Sequence, residues 1–227
     1  MNRYIPTILA AFALAACQQT TQPEATIGKV QVEPVITKAT EVNFEAGDRI
    51  GFTMAKVNAT DKYADNACLT FDGSVFSGDL MWYADAYSEA DVDAYYPYSA
   101  NGTPTAYGAY EDQTEGIGKA DLMVATKKGV LPSPNAITMV FKHMMTKLVI
   151  NIDNETGSDI GKVEVLSALR ATGIDYENMA LTEYTEAVIE EMAQTVPYEV
   201  EDGKKWVMIL IPQTGVLELR VTLSNNM

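Results

Sequence analysis

The sequence predicts a mainly β protein with one short helix, on three observations. Short runs rich in Val, Ile, Tyr and Phe recur along the chain, clusters of Gly, Pro, Asn and Asp separate them, and the last run alternates strictly between apolar and polar residues. In order, the expected strands lie at residues 29–32, 49–52, 68–71, 94–96, 121–124, 137–141 and 147–152, then at 162–166, 205–212 and 216–223. Gly47-Asp48, Asp72-Gly73, the stretch from Pro97 to Pro104, Pro132-Ser133-Pro134 and residues 154–158 supply the turns. Strands at this spacing predict a β-sandwich. In the final run Leu217, Leu219, Val221 and Leu223 share one face, so that strand should be half-buried. Residues 182–194 place Tyr184, Val188, Ile189 and Met192 near helical spacing with acids opposite, which predicts one amphipathic helix or a helical loop.

The first residues are of another kind. Met1-Asn2-Arg3 is a short basic start, and the apolar run from Tyr4 to Ala16 is too short to span a bilayer, so residues 1–16 read as a secretory signal. The run ends in Leu14-Ala15-Ala16-Cys17, which matches a bacterial lipobox; Cys17 is then the acylated first residue of the mature chain, anchored by lipid rather than spanning. Residues 17–26 are polar, contain Pro23 and form a tether. Modification of Cys17 leaves Cys68 alone in Ala67-Cys68-Leu69, where a buried inert thiol is expected.

Charge and residue inventory narrow the function. The 227 residues carry 16 basic and 31 acidic side chains, a formal charge of -15 without any basic cluster, which disfavours nucleic acid and polybasic docking on membranes. The single histidine, His143, rules out a His cluster for metal and is expected to be a structural or surface imidazole. Gly116-Ile117-Gly118-Lys119-Ala120 lacks the spacing of a phosphate loop, and residues 153–159 lack the Gly and Glu of a calcium loop. Neither an enzyme nor a cofactor or metal site is expected.

Four motifs carry a resemblance: Phe44-Glu45-Ala46-Gly47-Asp48-Arg49-Ile50-Gly51, Ala94-Tyr95-Tyr96-Pro97-Tyr98-Ser99, Asp121-Leu122-Met123-Val124-Ala125, and Phe141-Lys142-His143-Met144-Met145-Thr146-Lys147-Leu148. In this order behind a lipobox, the chain resembles the Mfa-like fimbrillin family over about residues 28–223. The resemblance implies a subunit of type V pili, with two transthyretin-like β-sandwich domains, carried as a lipoprotein to the outer-membrane surface. It implies that a trypsin-like protease removes the first strand and that a C-terminal strand from a neighbouring fimbrillin subunit refills the groove by β-augmentation. On that model the removable strand covers about residues 27–36 and Lys38 is the preferred cleavage site. Lys29 and Arg49 are weaker, because cutting at Lys29 leaves most of the strand in place and Arg49 lies in the motif that becomes the next strand.

The expected domains are therefore an N-terminal β-sandwich over residues 27–157 and a partial β domain over residues 158–227. The second is expected to be incomplete, since family members continue past the strand matching residues 216–223, and about 70 residues are few for an independent sandwich. Two functions follow: a fimbrial structural or filament-end subunit acting in adhesion, or a non-polymerising surface lipoprotein that binds host protein or glycan through tyrosine-rich loops.

Overall fold

The computed structural model describes residues 27–37, 43–182, 192–214 and 217–224. The first strands are β1 (Lys29–Ile36), β2 (Arg49–Lys56), β3 (Lys62–Phe71), β4 (Phe76–Met81) and β5 (Ala90–Tyr96). After β6 (Ala106–Gly108) and a 3₁₀ turn at Gly118–Ala120 come β7 (Met123–Val130), β8 (Ile137–His143), β9 (Thr146–Asn151) and β10 (Ile160–Ser167). The chain continues through β11 (Ala171–Asp175), β12 (Ala180–Thr182), β13 (Ala193–Thr195), β14 (Tyr198–Glu201), β15 (Lys205–Leu210) and β16 (Leu217–Leu223).

Seven of these strands form one closed barrel in the order β1-β4-β3-β2-β5-β7-β8, with β8 paired back to β1. Period-two alternation drives it: in β8, Ile137, Met139, Phe141 and His143 are buried while Thr138, Val140 and Lys142 are exposed. The interior also takes Ile50, Phe52 and Met54 from β2 and Phe76 from β4. The sequence reading expected a sandwich of two sheets here, and the observed sheet is continuous instead. The reason is β1, which pairs antiparallel to β4 and parallel to β8 and so joins what would otherwise be two edges. Of the residues expected to begin a strand at Asp121, the first two precede β7, because the 3₁₀ turn delivers the chain to Met123.

A second core sits between two three-stranded sheets, β13-β10-β16 and β14-β15-β9. Ile150, Trp206, Met208 and Leu210 of one sheet pack on Val163 and Val165 of the other. β9, placed in the first domain by the sequence reading, hydrogen-bonds along its whole length to β15. Of the segment expected to be helical, residues 183–191 lie outside the described residues, and both flanks are strand. Thr182 ends β12, and Ala193–Thr195 alternate buried, exposed, buried against β10.

β16 forms where the alternation places it but is not half-buried. Leu217, Leu219, Val221 and Leu223 are 43%, 48%, 39% and 36% exposed. Their register partners across β10 include Val163 and Val165, so the stripe shares the face of the second core, yet none of the four belongs to that cluster. β16 stands at the end of its sheet, where the facing side chains pack on β10 instead.

The two cores are joined twice. β6 pairs with β11, and a third apolar cluster combines Tyr95, Leu122 and Val124 with Leu169, Ile209 and Ile211. Gln113 adds a clamp: its side-chain oxygen accepts the Ile209 N–H at 2.8 Å and its amide nitrogen donates to the Ile209 carbonyl at 2.8 Å. A side-chain amide thus takes the place of a neighbouring strand on β15, beyond the reach of β14. Gln113→Ala leaves that buried N–H and C=O unmatched and should cost about 2–4 kcal/mol, read as a lower urea midpoint.

Candidate functional site: the first strand and its slot

β1 is half core and half surface. Val30 and Val32 are fully buried, whereas Lys29, Glu33 and Val35 face outward. Five successive residues, from Val32 to Ile36, pair with β8 from Ile137 to Phe141, while pairing with β4 ends at Val32. Pro34 lies beyond that last β4 pair, on a stretch paired with β8 alone among the described residues, where a missing N–H disturbs the ladder least.

Both ends of the strand are fastened. The Trp82 N–H donates to the Gly28 carbonyl at 3.0 Å, and the Thr37 N–H and hydroxyl both donate to the Phe141 carbonyl, at 3.1 and 3.2 Å. Beneath the strand the slot is aromatic. Phe44 packs edge-on against Phe76, Tyr96 and Phe141, with ring centroids 4.9, 5.3 and 5.2 Å away, and lies 6.0 Å from Phe71. Edge-to-face pairs add to plain burial, so this floor is held by more than its area. Phe44 comes after β1 in the sequence, so the slot is lined by a residue on the far side of Lys38.

The basic residues weighed as cleavage points fall in different surroundings. Lys38 and the acylation candidate Cys17 lie outside the described residues. Lys29 opens β1, exposed and 3.6 Å from Asp79. Arg49 opens β2, its guanidinium 5.6 Å from the Tyr98 ring centre and its carbonyl accepting the Tyr98 N–H at 3.0 Å. Cys68, in β3, is partly buried.

His143 is a core residue of β8, not a surface one. Its Nδ1 lies 2.7 Å from Asp121 Oδ2, with side chains 1% and 0% exposed, a buried hydrogen-bonded contact that the sequence does not announce. The available signal was phase: His143 falls in step with Ile137, Met139 and Phe141. Tyr96 was likewise overlooked as a buried phenol; its hydroxyl donates to Asp48 at 3.2 Å. Among the described residues, no group of three or more His, Cys, Asp or Glu side chains is placed to hold a metal ion. The described part of the slot offers backbone pairing and apolar packing.

A family model described as fimbrillin-like matches residues 37–227. The chain belongs to the fimbrillin-like family. The match to this family begins at Thr37, one residue past β1. Among solved structures, the fimbrillin-like chain is similar to a candidate cell adhesion protein from Bacteroides uniformis, with TM-score 0.60 and 26% identity over 86% of this chain and 80% of that one. A second such protein, from Bacteroides ovatus, gives TM-score 0.60 at 18% identity over 86% and 85%. A fimbrial protein from Bacteroides ovatus gives 0.52 at 16% identity, over 88% of this chain and 45% of that one. No curated protein matches the chain. Family membership places it with fimbrial proteins of the cell surface rather than with enzymes.

Burial, then the nearby Asp48 carboxylate, raises the Tyr96 phenol well above its ordinary 10.0. Burial does the same for Tyr107, with Asp121 adding to it, and for Tyr176, with Tyr95 adding to it. Groups with raised folded values contribute stability that is complete below the unfolded pKa and lost as pH climbs through the folded one. The urea midpoint should therefore hold on approach to pH 10.0 from below and fall above it, and Tyr96→Phe, which cannot ionise, should lessen that alkaline fall.

Proposed function

We propose that this chain is a surface lipoprotein subunit of a fimbria, acting in adhesion, that assembles when its first strand is removed and the vacated slot accepts an extended strand from another subunit. In this reading residues 1–16 are a signal peptide, Cys17 carries the lipid that anchors the chain at the outer membrane, and residues 17–26 are the tether. A trypsin-like protease cuts after Lys38, the residue that follows Thr37, which is bonded to β8. The first half is then the transthyretin-like module of the family, its two faces joined edge to edge by β1. Strand pairing favours setting the boundary between the halves just before β9, ahead of residue 157, since β9 pairs with β15.

The observation that carries the reading is the position of β1, which is fully built into the barrel yet lies next to the family-matched region rather than within it. Losing β1 uncovers the aromatic floor and leaves one edge each of β4 and β8 unpaired. Burial of Val30 and Val32 alone is worth about 3–6 kcal/mol, so an empty slot binds any strand offering apolar side chains at alternate positions with matched backbone donors and acceptors. An inserted strand is held along two edges at once and leaves slowly.

Brief treatment with a trypsin-like protease should yield a new N-terminus at Ala39, by intact mass, together with a ladder of oligomers on an unheated denaturing gel. Lys38→Gln should abolish both. A single truncated band without oligomers would count against strand exchange and favour a solitary lipoprotein that binds host protein or glycan.

A further inference from the structure

β16 carries two unmet demands on one strand. Its apolar stripe of Leu217, Leu219, Val221 and Leu223 shares the face of the second core but is more than a third exposed, and only β10 pairs with it among the described residues. An edge strand of seven residues with exposed Leu and Val side chains is a template for another strand. The opposite face of β16 presents Glu218 and Arg220, 2.6 Å apart and both partly exposed, and these charges restrict what can pair there.

We propose that β16 pairs antiparallel with β16 of a second copy, about a two-fold axis through Leu219. This register sets Leu219 against its own copy, Leu217 against the partner's Val221, and Glu218 against the partner's Arg220, twice over by symmetry. An axis through Glu218 or Arg220 sets like charges directly opposite each other. A shift of one residue puts leucine against glutamate or arginine on the same face. The strand is thus complementary to itself in one register. Pairing joins the two sheets into one of six strands and turns the two exposed stripes into a continuous apolar ribbon. Single-strand contact is small for an interface, so the dimer is weak and concentration-dependent.

The full chain in mild detergent, with no protease added so that β1 stays in place, should sediment as a monomer–dimer equilibrium across the micromolar range. Glu218→Arg and Arg220→Glu should each weaken dimerisation about tenfold or more, because like charges then face each other across the pair, and the double exchange should restore it. In a chain carrying Leu219→Cys, mild oxidation should cross-link two copies through position 219, whereas Val140→Cys, exposed on the barrel, should not. A monomer at every concentration, a dimer indifferent to the single reversals, or a double exchange that fails to rescue would each overturn the proposal. A partner other than a second copy would show itself as the first of these.

Discussion

The barrel depends on one strand pairing in two directions. β1 runs antiparallel to β4 and parallel to β8, and without it the sheet has two open edges over an aromatic floor. The pairs that do not involve β1 are all antiparallel and join residues no more than 44 positions apart, as in Gly51 with Tyr95. The β1–β8 pair joins residues more than a hundred positions apart, as the Thr37 bond to Phe141 illustrates. Closure therefore comes from the contact with the highest chain-entropy demand.

That geometry explains which features were legible in the sequence. Strand positions were, because alternation and turn residues are local: β2, β8, β9, β10 and β15 fall where Val, Ile and Phe recur in short runs. Barrel closure was not, since nothing within β1 or β8 specifies a parallel neighbour a hundred residues away. Alternation in β16 predicted its form correctly and its burial wrongly, because period two says that a face is apolar, not that something covers it. The short run at Ala193–Thr195 shows the converse, a strand set by its pairing with β10 in a stretch whose composition suited a helix.

The candidate site was legible as a segment and not as a place. Basic residues near the first strand are visible in the sequence, but the Phe44 cluster beneath it draws on five separate segments of chain. Gln113 is a similar case. Nothing in Asp112-Gln113-Thr114 announces a side chain that completes β15 from ninety-six residues away. This long-range polar contact ties the loop between β6 and β7 to β15.

The double pairing of β1 also has a mechanical meaning. Hydrogen bonds in a sheet lie across the strand, so a pull along the strand axis loads the ladders on both flanks together, in shear, and none can be peeled open before the rest. Rupture under such a load is governed by the barrier to unfolding rather than by equilibrium stability. Any segment seated between β4 and β8 is therefore placed to carry tension, and the tyrosine and phenylalanine rings below it would have to move as a group before it slid.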